Sequence, residues 1–275
     1  GSSFIFELPF QRSSERVEPH PAPEPTEAIP SLRVLVVDDL SINRKLAQGQ
    51  LENAGHTVFL ASGGNEALTV LEQESVDAVL MDLHMPGLDG IQTTHKIRLG
   101  QASQVPIIGI TANVSEQKME ECIAAGMDRV IKKPVDQNKL VLVLKEALQF
   151  DQPSTYPNSP ARNDDIIDAE LISQHLQSLG EEEFITLYDE AMDSVNRRVE
   201  SLLTIDRDKM QLVRDEAHAL AGLCANFGFQ ELSLLAERIE DSSETQVEHL
   251  LTDIEERRDT CYAQLRDQFP VLSTS

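Results

Sequence analysis

Residues 32–39 read LRVLVVDD, an apolar, β-branched run that ends in two aspartates. Such a run is typical of a strand that is buried on both faces of a parallel sheet. Similar stretches recur at 56–61, 76–81, 105–111 and 128–132, and helical patterns follow at 41–54, 64–73, 88–99, 114–125 and 137–149. Five strand–helix units in this rhythm predict an α/β domain over residues 31–150, a doubly wound parallel sheet with its site at the carboxyl ends of the strands.

The last part of the chain, residues 166–275, has helical periodicity and no strand signal. The helical patterns cover 168–178, 181–204, 207–227, 229–241 and 244–268. Because the connections are short, the pattern predicts an antiparallel all-α bundle, and Gly228 is placed to end its third helix. Residues 151–165 contain three prolines and predict a linker between the two domains.

The chain begins with GSSFIFELPF (1–10), which alternates apolar and polar residues and reads as one strand without a neighbouring partner. Residues 11–30 are rich in proline and glutamate. This composition predicts an extended linker ahead of the α/β domain.

The composition excludes some classes of function. With a net charge of −24, the surface repels nucleic acid and anionic lipid, so we expect no nucleic-acid partner and no direct membrane contact. The sequence has no run of the roughly 18 apolar residues that would cross a bilayer. Its three cysteines, Cys122, Cys224 and Cys261, are widely spaced, which favours a reducing, cytoplasmic location.

Acidic residues follow two strands that a parallel sheet can place side by side. Asp38 and Asp39 follow the first strand, and Asp82 follows the third. Three carboxylates this close repel one another unless a cation joins them, and hard oxygen ligands in an incomplete shell suit Mg²⁺. The alternative is that these residues are simply solvated at the strand ends.

Two further side chains point to phosphoryl chemistry. Thr111 ends the fourth strand, and Lys133 follows the fifth strand and precedes Pro134. A hydroxyl donor and an ammonium at the same edge as the carboxylates are what a transferring phosphoryl group requires while charge shifts among its oxygens.

Four motifs resemble those of a response-regulator receiver domain, a flavodoxin-like fold, over residues 32–149: VVDD (36–39), MDLHMPGLDG (81–90), ITAN (110–113) and KKPV (132–135). The resemblance implies that Asp82 is the phospho-acceptor and that Asp38 and Asp39 hold Mg²⁺ together with it. It also implies that Thr111 and Lys133 bind the phosphoryl oxygens.

Two positions in this domain need separate comment. The resemblance implies that the main-chain carbonyl of His84 completes the metal shell, whereas we expect its side chain to have no role. Receivers usually carry an aromatic switch residue where this chain has Val130. That departure favours a receiver that passes phosphate onward over one that displays a signal on a distant face.

One of the seven histidines, His218, lies within RDEAHALAGLCANFG (214–228) in the helical domain. Ala221 and Gly222 share its helix face. Because a glycine inside a helix costs about 1 kcal/mol relative to alanine, it suggests that space is needed beside the imidazole, so that another active site can close over it. The alternative is an interior histidine packed among small residues.

The same segment resembles the histidine phosphotransfer motif, in which His218 would carry the phosphoryl group and the fold would be a four-helix bundle. Gly222, Asn226 and Gly228 also match the motif. Lysine is usual three positions after the histidine, and Ala221 replaces it here; Arg214 is our candidate for the missing positive charge.

The opening GSSFIFELPF resembles the closing strand of a histidine kinase ATP-binding domain. The whole chain is therefore similar to the C-terminal part of a bacterial tripartite hybrid sensor histidine kinase, of the kind that senses trimethylamine N-oxide or anaerobic conditions. The resemblance implies a parent protein anchored in the inner membrane. It also implies an upstream histidine kinase core as donor and a separate response regulator as acceptor.

The predicted function is a phosphorelay from a kinase phosphohistidine to Asp82, then to His218, then to that response regulator. The sequence has no glycine-rich ATP lid and no kinase histidine motif, so we expect this part to transfer phosphoryl groups without using ATP. Two alternatives stay open: a stand-alone response regulator with a helical effector domain, and a non-catalytic scaffold.

Overall fold

The computed structural model describes residues 30–112, 116–149 and 165–273. The predicted strand at 1–10 and the predicted linker at 11–30, apart from Pro30, lie outside these ranges, as does the linker at 151–165 apart from its last residue. A membrane-spanning helix is absent from the described ranges, because every helix there is too short or too polar for that role.

The α/β domain alternates strands and helices, and the predicted bounds agree with the observed ones to within two residues. Its elements are β1 (Arg33–Val37), α1 (Ser41–Asn53), β2 (Thr57–Ala61), α2 (Gly64–Gln73), β3 (Ala78–Asp82), α3 (Gly90–Leu99), β4 (Ile107–Thr111), α4 (Glu116–Ala124), β5 (Arg129–Lys132) and α5 (Gln137–Gln149). Since the strands are mostly apolar and β-branched, they fill the interior; every residue of β3 is buried.

The strands form one parallel sheet in the order β2-β1-β3-β4-β5, which confirms the predicted flavodoxin-like, doubly wound topology. β1 and β3 are neighbours, and Val37 pairs with Met81. Asp38 and Asp82, which directly follow this pair of residues, therefore meet at the same edge of the sheet. On the other side of β3, Asp82 pairs with Ile110 of β4.

The helical domain contains α6 (Ala169–Leu179), α7 (Glu181–Thr204), α8 (Met210–Asn226), α9 (Gln230–Glu240) and α10 (Glu244–Gln268). The helix predicted at 207–227 begins later than expected, because Arg207–Lys209 form a separate 3-10 turn. Helices α7 to α10 make up the expected four-helix bundle, and α6 packs on α1 and α7. Gly228 ends α8 with a φ of +74°, and a Cβ there would lie 2.9 Å from Ile172 Cγ1, so only glycine fits this turn.

The core of the helical domain is apolar and includes four fully buried aromatic side chains, Phe184, Tyr188, Phe227 and Phe229. This core extends into the α/β domain, because Ile42 and Leu46 of α1 belong to the same hydrophobic cluster. Their burial against α6 and α7 is favourable by roughly 1.5–3 kcal/mol for each side chain. The face of α1 beside the carboxylates is therefore covered by the helical domain.

Candidate functional site

Three carboxylates meet at the carboxyl ends of β1 and β3. Asp38 and Asp39 follow β1, and Asp82 is the last residue of β3. One oxygen of each carboxylate lies within 4.8 Å of the other two. Asp38 and Asp82 are buried, and Asp39 is half-buried. The structure thus brings together the acidic side chains that the sequence places at strand ends, and three carboxylate oxygens suit a hard divalent cation.

Lys133 is the buried cation of this cluster. Its Nζ atom lies 2.7 Å from Asp82 Oδ2 and 3.3 Å from Asp38 Oδ2. Burial alone would lower the pKa of Lys133, but these two carboxylates raise it above its ordinary value. Lys133 therefore stays protonated beside Asp82.

The acidic cluster carries more negative charge than Lys133 neutralises. Burial raises the pKa of Asp38 to about 6, with Lys133 opposing the rise and Asp82 adding to it. Burial, followed by the charge of Asp38, also raises the pKa of Asp39. Both shifts show that a further positive charge at this point would stabilise the ionised carboxylates.

Two backbone groups complete the rim of the cluster. Thr111, the last residue of β4, is fully buried, and its carbonyl accepts a hydrogen bond from the Lys133 N–H at 2.8 Å. The His84 N–H donates to Asp82 Oδ1 at 3.2 Å. The hydrogen bond between His84 and the acidic cluster involves the His84 amide, so a role for its carbonyl as a metal ligand stays a prediction.

His218 lies on α8, half-buried, and is oriented by a carboxylate that sequence reasoning missed. Its Nδ1 atom is 3.0 Å from Oε1 and 3.1 Å from Oε2 of Glu240, at the end of α9. Because an ionised carboxylate only accepts hydrogen bonds, Nδ1 carries the proton in the neutral ring and Nε2 keeps its lone pair. This is the tautomer that an Nε2 nucleophile requires.

The small residues beside His218 leave room for a residue of the α/β domain. Gly222 is buried one turn after His218, and a Cβ on it would lie 3.7 Å from both Cδ and Nζ of Lys133. Lys133 of the α/β domain therefore lies directly against α8. Ala221, which replaces the usual lysine, is fully buried.

Arg198 of α7 is a cation of the helical domain whose charge bears on Asp39, one residue of the acidic cluster. Its positive charge opposes the rise in the pKa of Asp39, and its Nη1 atom is 3.0 Å from Glu216 Oε1. Arg214, the residue that the sequence suggested, is exposed. A contribution of Arg214 to the site stays a prediction.

The two candidate centres face each other. The ring centroids of His84 and His218 are 3.9 Å apart, with the ring planes tilted by 51°. His84 follows Asp82 by two residues, so the imidazole of His218 lies near the carboxylate cluster. Partial burial, followed by the adjacent His218, lowers the pKa of His84. The His84 side chain, for which the sequence predicted no role, therefore contacts the candidate nucleophile.

Further contacts join α1 to the helical domain around these centres. Lys45 Nζ is 2.6 Å from Glu190 Oε2 on α7. A Cβ on Gly49 would overlap Leu179 Cδ2 on α6, so the two helices approach closely there. All elements from β1 to α10 pack within one compact unit.

Two family models match separate parts of this chain. Residues 34–145 match the response regulator receiver domain, and residues 182–268 match the Hpt domain, the histidine phosphotransfer module.

Several relatives contain both parts. The sensory/regulatory protein RpfC of Xanthomonas campestris pv. campestris is 30% identical over 83% of this chain and 31% of that protein. The sensor histidine kinase AruS of Pseudomonas aeruginosa is 29% identical over 84% of this chain and 22% of that protein. The aerobic respiration control sensor protein ArcB of Escherichia coli K12 is 27% identical over 87% of this chain and 31% of that protein. The chain thus spans less than a third of the length of these relatives.

Among solved structures, the receiver domain of sensor histidine kinase PA1611 from Pseudomonas aeruginosa PAO1, with a magnesium ion in its active site cleft, is 32% identical. The match covers 43% of this chain and 98% of that domain, with a TM-score of 0.41. From the family matches, the chain carries a response-regulator receiver domain followed by an Hpt domain, the paired modules of phosphorelay signalling, and its relatives are hybrid sensor kinases.

Proposed function

We propose that this chain passes a phosphoryl group from Asp82 to His218, and that it does so as the C-terminal part of a hybrid sensor histidine kinase. One observation carries the proposal. The imidazole of His218 lies against His84, two residues from Asp82, within one folded unit.

In the first step, the donor is a phosphohistidine on a kinase core. A carboxylate oxygen of Asp82 attacks the phosphorus, a P–O bond forms, and the P–N bond of the donor breaks with return of the electron pair to the donor imidazole. Lys133, 2.7 Å from Asp82 Oδ2, stabilises the negative charge that develops on the phosphoryl oxygens. The hydroxyl group of Thr111 is the proposed second donor to those oxygens.

The residues present fit the Mg²⁺ that the acidic cluster suggests. Asp38, Asp39 and Asp82 would hold the ion. The carbonyl of His84 is the proposed further ligand. When bound, Mg²⁺ supplies the positive charge that the three carboxylates and a phosphoryl group together require.

In the second step, Nε2 of neutral His218 attacks the phosphorus of the aspartyl phosphate. An N–P bond forms, the Asp82 O–P bond breaks, and the Asp82 carboxylate is restored beside Lys133. The imidazole becomes cationic as it is phosphorylated, and the Glu240 carboxylate on Nδ1 stabilises that charge. A separate response regulator then accepts the group from His218.

The place of this chain in a larger protein is part of the same proposal. Its relatives are sensor kinases that extend well beyond the matched region. We infer that the parent protein supplies the kinase core, that it is anchored in the bacterial inner membrane, and that these two domains act in the cytoplasm. Sensing of trimethylamine N-oxide or of anaerobic conditions stays a prediction.

The test follows a radiolabel. The chain is mixed with ³²P-labelled acetyl phosphate and Mg²⁺, quenched at intervals, and divided into base-labile label (acyl phosphate) and acid-labile label (phosphohistidine). We expect the base-labile label to appear first and the acid-labile label second. Asp82→Asn should abolish both, and His218→Gln should retain only the first.

An Asp82→Asn chain that still acquires base-labile label would show that the acceptor is another residue. A chain in which label never reaches His218 would favour the two alternatives, an output regulator or a scaffold. Chelation of Mg²⁺, and the variant Asp39→Ala, should slow the first step.

A further inference from the structure

The buried side chain of Asn43, on the first turn of α1, connects the acidic cluster to the helical domain. Its Nδ2 atom donates to both oxygens of Asp38, at 3.2 Å and 3.1 Å. Because the carboxylate only accepts, this contact fixes which end of the amide faces Asp38. The carbonyl oxygen of Asn43 must then point away from the cluster.

That oxygen is hydrogen-bonded to a residue of the Hpt domain. Asn43 Oδ1 accepts a hydrogen bond from Asn226 Nδ2 at 3.1 Å. Asn226 is the last residue of α8, eight residues after His218, and so roughly 12 Å further along the helix axis. Helix α8 therefore contacts the receiver at both ends of this stretch, through the imidazole of His218 and the amide of Asn226, with the contact between Gly222 and Lys133 lying between them.

The surroundings make this contact more important than the neighbouring ion pair. Ile42 and Leu46, on either side of Asn43 in α1, are buried in the apolar cluster of the helical domain. A buried amide oxygen without its donor is strongly unfavourable. The pair formed by Lys45 and Glu190 has side chains that are 49% and 43% exposed, and exposed pairs of this kind contribute little.

We propose that Asn226 is a positioning residue that orients the Hpt domain on the receiver. It does so through its hydrogen bond to Asn43, which in turn is hydrogen-bonded to Asp38. The inference rests on the proposed relay between Asp82 and His218 and adds the contact that aligns them. Two points of attachment fix the direction of α8 on the receiver surface. Without the hydrogen bond from Asn226, α8 pivots about His218, and Nε2 is less often in line with the phosphorus.

The experiment is a double-mutant cycle in the intact chain. The four proteins are the unaltered chain, Asn43→Ala, Asn226→Ala and the double variant, with Gln211→Ala as a matched control. Gln211 is an exposed amide residue at the opposite end of the same helix. The measured quantity is the first-order rate at which label moves from the base-labile to the acid-labile fraction.

We expect Asn226→Ala to slow this transfer about tenfold, the effect of removing one partly buried hydrogen bond, and to have no further effect in the Asn43→Ala background. Gln211→Ala should transfer at the unaltered rate. Equal decreases in both backgrounds would show that Asn226 acts within the Hpt domain alone, and an unaltered rate for Asn226→Ala would remove its role altogether. Either result overturns the inference.

A second measurement does not depend on phosphorylation. Amide hydrogen exchange of α1 is followed in the unphosphorylated, Mg²⁺-free chain. Asn226→Ala should raise the rate of amide exchange in Ser41–Asn53. As a control, the thermal unfolding midpoint of this variant, measured by circular dichroism, tests whether the bundle still folds. Unchanged exchange in α1 would count against the seating role. The proposed relay itself fails only if label does not reach His218 in the unaltered chain, so the two failures are distinguishable.

Discussion

The imidazole rings of His84 and His218 are in contact, 3.9 Å between centroids, although one belongs to the receiver domain and the other to the Hpt domain. His84 is hydrogen-bonded through its backbone to Asp82, and His218 is the proposed nucleophile for a phosphoryl group on that residue. The ring contact therefore connects Asp82, the proposed donor in this step, to His218, the proposed acceptor, through the single residue His84. It also limits the rotation of the His218 ring on the side that faces the receiver.

From this contact we predict that His84→Ala slows transfer from Asp82 to His218 by about three- to tenfold, because the attacking ring loses a packing partner worth about 1 kcal/mol. His84→Phe should retain most of the rate, since it keeps a ring of similar size. Quenched time courses with labelled acetyl phosphate provide the measurement. If His84→Phe were as slow as His84→Ala, the imidazole nitrogens and not the ring packing would be responsible.

A second prediction concerns Glu240, which binds Nδ1 of His218. Glu240→Ala should slow transfer by about ten- to a hundredfold, because the ring loses both its fixed tautomer and the negative charge that offsets the cationic product. Glu240→Gln keeps an acceptor oxygen for Nδ1–H but no charge. An intermediate rate for Glu240→Gln would separate the two contributions, and equal rates for all three chains would show that Glu240 has no part in transfer.

The third prediction concerns the helix glycine beside His218. A Cβ at Gly222 would make ordinary contact with Lys133, at 3.7 Å. Gly222→Ala should therefore keep transfer within about twofold and raise the free energy of unfolding by about 1 kcal/mol through helix propensity. Gly222→Leu should block transfer, because its side chain would occupy the position of Lys133. Transfer rates and thermal unfolding of both variants check this, and a slow Gly222→Ala chain would contradict it.

The sequence predicted the strand and helix bounds well, because each element carries its own hydrophobic period. It also predicted the placement of Asp38 and Asp82, since parallel strands bring their carboxyl ends to one edge. Glu240 was missed because it is 22 residues from His218, on another helix. Only the packing of α9 against α8 decides which side chain meets the imidazole.

The contacts between the two domains also could not be predicted from local sequence patterns. Asn226 was identified only as a motif residue, and its partner Asn43 carried no signal of its own. The same limit explains Arg214 and Arg198. Counting one turn back along α8 leads to Arg214, which is exposed and whose part in the site stays a prediction, whereas Arg198, one of the charges that act on Asp39, lies on another helix, α7.

The fourth prediction is a pH dependence of stability that originates in His175. This side chain is fully buried in the helical domain, its Nδ1 is 2.8 Å from the Tyr188 hydroxyl, and burial lowers its pKa from 6.5 to about 4. Between pH 4 and pH 6.5, His175 is therefore protonated in the unfolded chain but not in the folded chain. The resulting stability is present above pH 6.5 and is lost as pH falls toward 4, by about 3 kcal/mol at most.

His175→Gln is the matched variant, because glutamine can accept the Tyr188 hydrogen bond but does not titrate. Urea unfolding of both chains between pH 7 and pH 4 gives the measurement, and other titrating groups cancel in the difference. We expect the unaltered chain to lose stability faster than His175→Gln on acidification. Parallel curves would show that His175 does not control acid unfolding of the bundle.

The fifth prediction concerns whether the relay runs within one chain. Because 15 residues, 151–165, join the two domains in one chain, their encounter is intramolecular, with an effective concentration near the millimolar range. In the structure, His218 already lies against the receiver of its own chain, with Ile42 and Leu46 buried in the Hpt core. Transfer from Asp82 to His218 should therefore be first order, with a rate that does not depend on protein concentration.

Mixing two inactive halves of the relay tests this directly. Phosphorylated His218→Gln chain is the donor and unphosphorylated Asp82→Asn chain is the acceptor, so that label can move only between chains. At micromolar concentration this mixture should be at least a hundredfold slower than the intact chain, because the tether no longer holds the partners together and each Hpt domain is already covered by its own receiver. The rate of the mixture should also rise in proportion to acceptor concentration. If the mixture transferred as fast as the intact chain, the contact between the two domains of one chain would not be the productive one, and the relay would run between chains.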